Sequence, residues 1–361
     1  MLFVTHLTDQ DSTTTTYKQA LFESMDQVMQ RNSNVVIFGQ GVDDHKGMFG
    51  TTYGLVQKYG KNRVMDTPLA EEGVTGIAVG AALNGLYPIL THLRCDFALL
   101  TMNQVINLAA KYKYSCAGKF EVPMLIRMVI GRSWGQGAQH SQSPQSLFAH
   151  IPGLKVVMPA SPQSIMDTYR YCAEEYRGPV ISIEHRLMYD LKFKKEPSLK
   201  NPFTSRLVRP GKDITIVATS IMVVEAIRAA EHLRAHANID CEIIDLHCIS
   251  HPDREMITHS VKKTGKLLIA DTSWINYGVG AEVCRFIAET CPSALKAPVK
   301  TVGLAAATCP TAKSLEDLYY PNLTTLCNDI ATLAVGRPDH GISLPDERSM
   351  ADVYKKFKGP F

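Results

Sequence analysis

From residue 17 to about residue 30, the apolar positions Leu21, Met25, Val28 and Met29 recur at helical spacing, which predicts an amphipathic helix. Next comes Val35-Val-Ile-Phe38, an unbroken apolar run that stops at Gly39-Gln-Gly41. Such a run reads as a strand buried on both faces and feeding a loop. The alternation continues, with helices predicted over 55–59, 102–114, 143–150 and 164–175 and strands over 64–65, 88–91, 122–127, 154–158 and 180–183. One more helix, starting near 70–72 and running to 86, is rich in small residues (Gly76, Ala78, Gly80, Ala81, Ala82), which let it approach a neighbouring backbone closely. Regular strand–helix alternation predicts a doubly wound parallel sheet, in which ligands collect at the carboxyl ends of the strands.

A segment rich in Lys, Pro and Ser, 190–211, interrupts the pattern. A second α/β unit follows, with strands over 214–217, 241–246, 266–270 and 299–303 and helices over 223–236, 254–264, 281–290 and 322–335. The expected organisation is a disordered lead (1–16), a first α/β domain (17–192), a linker (193–211), a second α/β domain (212–335) and a polar tail (336–361) that wraps a surface or a partner.

Composition narrows the function classes. A chain of 361 residues is long enough for two domains with real cores, and 45% hydrophobic with 20% charged residues is ordinary for a globular protein. A formal charge of +3 over that length gives no support for nucleic-acid binding. No apolar run approaches the roughly 18–20 residues that span a bilayer, so no membrane contact is expected. The first 17 residues carry Asp9 and Asp11 and no basic region, unlike a signal or transit peptide. Nine cysteines without a C-x-x-C pair, and no His cluster at zinc spacing, predict reduced core thiols, no metal ligands in this chain and a cytoplasmic setting.

Chemistry concentrates between residues 66 and 142. Carboxylates, an aromatic and a histidine stand at the ends of segments whose interiors are apolar, where packing alone does not call for them. Glu71 reads either as an ordinary acid in the first turn of a helix or as a proton donor or acceptor whose pKa is raised in an apolar pocket. Glu72 beside it is then the exposed acid. His140, flanked by Gln139, Ser141 and Gln142 after a Gly-rich loop, is either a surface histidine or a group oriented for acid–base work. Phe97 is core or a stacking platform. Arg94 and Arg127 are anion contacts or solvated strand-end charges. There is no G-x-x-x-x-G-K-S/T loop, no strand-following G-x-G-x-x-G with a downstream acid and no G-x-S-x-G elbow. These residues alone support an α/β enzyme or enzyme subunit.

The run Asp66-Thr-Pro-Leu-Ala-Glu71-x-Gly73-x-Thr-Gly-Ile-Ala-Val-Gly-Ala-Ala82 closely resembles the beta subunit of thiamine-diphosphate-dependent 2-oxo acid dehydrogenases, of pyruvate dehydrogenase type. So do Asp96-Phe97, Gln104-Val-Ile-Asn107, Ala138-Gln-His-Ser-Gln142, Gly153-Leu-Lys-Val-Val157, Leu187-Met-Tyr189, Gly278-Val-Gly-Ala-Glu282 and Leu315-Glu316. The resemblance implies a transketolase-like fold, a pyrimidine-binding domain followed by a transketolase C-terminal domain. It implies that Glu71 hydrogen-bonds the pyrimidine nitrogen of thiamine diphosphate, that Phe97 stacks on its ring, that Leu93 and Gln40 complete the cofactor contacts, and that His140 faces the substrate. The reaction implied is decarboxylation of a 2-oxo acid, with the acyl unit passed to an acceptor such as the lipoyl group of an acyltransferase.

The family's Gly-Asp-Gly…Asn motif for diphosphate and Mg2+ occurs nowhere in the chain. The resemblance therefore implies an alpha subunit that carries it, an alpha2beta2 heterotetramer, and no activity for this chain alone. Three departures stand out. Gln40 replaces the family's acid, which is thought to relay protons. Arg94 and Cys95 stand where relatives have neutral or aromatic residues. Arg127-Met-Val-Ile-Gly-Arg132 replaces Arg-Gly-Pro. They suggest an altered, anionic substrate or acceptor contacted by Arg94 and Arg132. Two other expectations remain: a split transketolase-like transferase moving a two-carbon unit to a sugar or nucleotide-sugar carbonyl, and a non-catalytic regulatory or scaffold chain.

Overall fold

The computed structural model describes residues 14–44, 47–132 and 135–349. These divide into two compact units, one formed by 14–130 and 147–203, the other by 131–146 and 204–349.

The first unit is built on a six-stranded sheet of β2 (Val35–Gly39), β3 (Val64–Asp66), β4 (Tyr87–His92), β5 (Met124–Ile130), β6 (Lys155–Val157) and β7 (Pro179–His185). Its strand order is β3-β2-β4-β5-β7-β6 and every pairing is parallel. β2, β4, β5 and β7 are buried at every residue, as their near-continuous apolar sequences require. The helix Tyr17–Arg31 lays Leu21, Met25, Val28 and Met29 into this core, and Thr16 caps it by accepting from the Gln19 amide. The helix Pro162–Glu174 starts on a reciprocal Ser161–Ser164 capping box.

The second unit carries a five-stranded sheet of β9 (Arg206–Arg209), β10 (Ile214–Ala218), β11 (Cys241–Asp245), β12 (Leu267–Trp274) and β13 (Lys300–Leu304), in the order β13-β12-β10-β11-β9. Only β9, at the edge, runs antiparallel. The helices Ile221–Ala237, Arg254–Thr264, Val279–Thr290 and Leu323–Val335 accompany it. This is the two-unit, doubly wound architecture that the alternation predicted.

Several boundaries differ from expectation. Thr14–Thr16, inside the expected disordered lead, forms β1 and pairs antiparallel with β8 (Lys192–Lys194); residues 1–13 lie outside the described residues. β8 overlaps the start of the expected linker and β9 lies near its end, so strand pairing holds both ends of that segment. Thr-Thr-Thr, Lys-Phe-Lys and Arg-Leu-Val-Arg have the polar character of edge strands, which pattern reading mistakes for loop. A 3-10 turn (Phe97–Thr101) precedes the helix expected over 102–114, which itself divides into a wide helix with i→i+5 bonding (Asn103–Ala109) and one short α-helical turn (Tyr112–Ser115). A helix over Lys313–Tyr319 was not anticipated.

The segment 131–146, expected in the first domain, packs with the second. The tail from Gly336 to residue 349 lies along its own unit. Ser343 O meets His232, Pro345 O accepts from Thr324, and the Glu347 carboxylate pairs with Arg228. Residues 350–361 lie outside the described residues.

Candidate active site

β2 ends at Gly39, whose φ is +145°; a Cβ there would lie 2.2 Å from the Thr91 carbonyl oxygen of β4. Only glycine permits that approach. The chain then turns through Gln40 to Gly41, whose amide donates to Asp66 Oδ1 at 2.6 Å. This turn aims Gln40 at the start of the helix Glu71–Leu83, where Gln40 Nε2 donates to Glu71 Oε1 at 2.9 Å. Ala70, at the cap position of that helix, supplies no side-chain cap, so the two acids of its first turn stand in the positive field of free amides. Glu71 is half-buried, and its Oε2 makes no hydrogen bond among the described residues. Glu72 is exposed, as expected, and accepts from Gln104 Nε2 at 3.1 Å.

Behind Glu71 stand two groups the sequence reading did not single out. Thr75 Oγ1 donates to the Glu71 carbonyl at 2.7 Å and lies 3.3 Å from His92 Nε2. His92 is buried at the end of β4, and burial pushes its imidazole down to about 4, against a smaller opposing pull from the Glu71 charge. It is a neutral ring packed behind a carboxylate. The signal available in the sequence was a histidine in the otherwise apolar β4 run.

The segment after β4 carries Leu93, half-buried, then Arg94. Arg94 is partly buried, and its Nη1 is enclosed without a hydrogen bond. Desolvation lowers its pKa, opposed by the nearby Asp96 charge. Phe97 opens the 3-10 turn and is 37% exposed as a residue, so it is neither core nor fully solvated. Of the first unit's candidates, Gln40 and Glu71 are brought into contact, while Leu93, Arg94 and Phe97 follow on one short segment.

Two arginines do not behave as expected. Arg127 is neither an anion receptor nor solvated. It is fully buried in β5, bound through Nε and Nη2 to Glu184 at 2.7 and 2.9 Å, and Glu184 also accepts from Tyr169 and Tyr189. Arg132, expected to contact substrate, has a side chain only 1% exposed and pairs with Glu316 and Asp317 at 3.1 and 2.7 Å. Its charge is already matched by two carboxylates far along the chain, which spacing within its own loop does not reveal. That pairing corrects the expectation of a free anion contact. His140 is half-buried in this same unit. A further buried acid there, Asp271, has its pKa raised by burial, which outweighs hydrogen bonds from Thr219, the Thr272 amide and Gln145.

An open carboxylate oxygen beside a helix N-terminus, with a partly exposed aromatic ring in the same unit, suits a flat heteroaromatic cofactor bearing a ring nitrogen. Among the described residues no three His, Cys, Asp or Glu side chains gather in a way that holds a metal ion. None of the nine cysteines, all among the described residues, forms a disulfide, and no described helix is long and apolar enough to cross a membrane.

Residues 13–192 match the family model for the transketolase pyrimidine binding domain, and 204–326 that for the transketolase C-terminal domain. Among curated proteins, the pyruvate dehydrogenase E1 component subunit beta-2, mitochondrial, of Oryza sativa subsp. japonica is 36% identical over 324 residues, covering 85% of this chain and 83% of the relative. The pyruvate dehydrogenase E1 component subunit beta of Rickettsia conorii is 35% identical over 319 residues, covering 85% and 94%. A solved split gene transketolase, described as an inactive beta4 tetramer, superposes with a TM-score of 0.68 at 21% identity, over 89% of this chain and 97% of that one. That likeness bears on the fold alone.

Proposed function

This chain belongs to the pyruvate dehydrogenase E1 beta family, built from transketolase pyrimidine-binding and C-terminal domains, and from that premise we propose that it is the beta half of a thiamine-diphosphate-dependent enzyme that decarboxylates a 2-oxo acid. The observation that carries the reading is the Glu71 carboxylate, with one oxygen fixed by Gln40 and the other open, at an uncapped helix start. Thiamine diphosphate, when bound, supplies the electron sink for the pair released as carbon dioxide departs.

The chain's residues bind and orient around that chemistry. Glu71 Oε2 is the atom that would meet the pyrimidine ring nitrogen and exchange a proton with it, while Gln40 Nε2 donates to Oε1. An amide cannot itself take up the proton, so the relay expected of an acid at position 40 stops here. Phe97 offers its ring for stacking, Leu93 an apolar contact, and His140 a donor to the substrate. Arg94, with a buried nitrogen lacking a partner, is the remaining anion contact once Arg132 is set aside.

Mg2+ and the cofactor's diphosphate are assigned to an alpha partner, in an alpha2beta2 assembly; transfer of the acyl unit to a lipoyl acyltransferase is part of the same proposal. The compartment is also part of it. Some relatives are named mitochondrial and others are bacterial, and cell fractionation distinguishes cytoplasm from organelle. Arg94, with Gln40 in place of the family's acid, favours the second reading, ketol transfer to a sugar or nucleotide-sugar carbonyl.

The test is carbon dioxide release from a panel of 2-oxo acids by the chain with its alpha partner, thiamine diphosphate and Mg2+, beside a Glu71→Ala control. Release that the control loses supports the decarboxylase reading. No release from a complex that demonstrably binds the cofactor moves the assignment to ketol transfer or to a regulatory chain.

A further inference from the structure

The loop that carries His140 follows β5 in the chain, yet it groups with the second unit, which supplies the anchoring contacts at both of its ends. At its near end Arg132 is buried, and its Nη2 donates to both Glu316 and Asp317. Its guanidinium lies 4.7 Å over the Tyr320 ring, which itself sits in a small core with Leu304, Cys309 and Tyr319.

Asp317 is held from three sides. Lys313 and Ser349 donate to it beside Arg132, and although burial works to raise its pKa, these contacts bring it down to about 2. A cation this buried is stable only with such counter-charges in place. The loop then runs flush against Thr311. A Cβ at Gly135 would lie 2.8 Å from the Thr311 carbonyl oxygen, and one at Gly137 would lie 3.1 Å from its hydroxyl. At the far end Ser273 Oγ donates to the Ser143 carbonyl at 2.8 Å, and Gln145 Nε2 donates to Asp271 and Thr272 at 2.9 and 3.3 Å. Residues 138–142, His140 at their centre, are the short span between these two anchors.

We propose that Arg132 is a positioning residue for His140: its ion cluster on Glu316 and Asp317 is the near anchor of the loop that presents the imidazole, so the C-terminal domain of this chain sets the geometry of a catalytic-loop histidine. The proposal rests on the reading of His140 as a group that meets substrate. A displacement of the order of 1 Å in such a group costs up to about a hundredfold in rate, and losing the Arg132 anchor is expected to slow turnover by roughly tenfold to a hundredfold. Arg132 touches no substrate in this scheme, so KM changes little and the loss falls on kcat.

The experiment uses the full-length chain with its alpha partner, in wild-type, Arg132→Ala, His140→Ala and double-variant forms. Asp317→Asn is the milder lesion, kept in case Arg132→Ala does not fold. Backbone hydrogen exchange over 135–142 is read first, because it does not depend on any assigned reaction. The expected result is exchange faster by on the order of tenfold in Arg132→Ala and Asp317→Asn, with β10 and β12 unchanged. Unaltered exchange in that loop overturns the anchor.

The second reading is kcat and KM for carbon dioxide release. The double variant is expected to be no slower than His140→Ala alone, because Arg132 acts only through that ring. Losses that multiply, or a rise in KM specific to Arg132→Ala, overturn the positioning role and return Arg132 to direct substrate contact. A wild-type complex that binds cofactor and releases no carbon dioxide defeats the decarboxylase reading instead, and the anchor is then decided by exchange alone.

Discussion

The buried Arg127–Glu184 pair offers the sharpest stability test in the first unit. Both side chains are 0% exposed, and the guanidinium grips the carboxylate through two short bonds while Nη2 also donates to Thr51 Oγ1 at 3.1 Å. Glu184 takes two more donors, Tyr169 and Tyr189, whose own pKa values burial pushes well up. Arg127→Met strips the cation and leaves a carboxylate in the core with only two phenols for solvation. Breaking a buried pair from one side costs about 3–5 kcal/mol, against a total stability of about 5–15 kcal/mol for a typical protein. At roughly 2–4 °C per kcal/mol for a unit of this size, the melting temperature falls by some 6–20 °C.

Glu184→Leu alone strands the cation and costs a similar amount. The double variant, Arg127→Met with Glu184→Leu, leaves no orphaned charge and is expected to recover at least half of the summed loss, a coupling of at least about 3–5 kcal/mol. Urea unfolding followed by circular dichroism on the four forms gives the cycle. Additive losses, or a cost under about 1 kcal/mol for Arg127→Met, would refute the claim that the two charges exist for each other. Lost activity with unchanged stability would restore Arg127 as a ligand contact.

Other consequences are equally direct. His92 titrates near 4 in the fold against 6.5 in the unfolded chain, so protonation favours unfolding: its contribution is complete above pH 6.5 and is lost as pH falls toward 4, by about 3 kcal/mol in all. His92→Leu should flatten that part of the stability–pH curve, and an unchanged slope would exclude His92 as its source. Gly39→Ala forces a methyl to 2.2 Å from the Thr91 carbonyl oxygen at a backbone angle alanine avoids, and should destabilise the chain by at least ~2 kcal/mol in the same unfolding assay. Phe97→Ala should weaken cofactor binding by about tenfold in calorimetry with the alpha partner while leaving the melt within a degree or two, since its ring is already partly solvated. Gln40→Glu places two carboxyls within hydrogen-bond reach, so they share a proton and the activity–pH profile gains an acid limb displaced upward; a profile identical to wild type would show that Gln40 does not govern the Glu71 proton.

Much of the fold was legible because burial on both faces leaves a signature that needs no partner. Val35–Phe38 is apolar at every position and Ile214–Val217 at every position but Thr215, as strands buried on both faces in a parallel sheet require. β1, β8 and β9 carry no such signature; they are strands because a neighbour offers an edge, and that neighbour is distant in sequence. Residues 102–114 look helical by period, yet i→i+5 bonding, with the Ala110 amide reaching Val105, carries the Ala110 carbonyl onto Gly153, where φ is +100°.

The site divides the same way. Glu71 and Phe97 were visible as polar and aromatic punctuation of apolar runs. The Gln40–Glu71 bond was not, because it depends on how Gly39 turns the chain. Arg132 was visible as an arginine and misread as to its partner, because Glu316 enters the chain 184 residues later.

That last interval has a consequence in time. A nascent chain lengthens by about 5–20 residues each second, so Arg132 emerges roughly 10–40 s before the acids that neutralise it, and Gln145 precedes Asp271 by 126 residues. The six-stranded sheet can assemble as soon as β7 has been made, while the segment leaving β5 must wait beside it as an untethered bight, its arginine still hydrated. The middle of the chain is thus fastened by its last third: a chain cut short before residue 316 would carry every strand of the six-stranded sheet but neither of the acids that pair with Arg132.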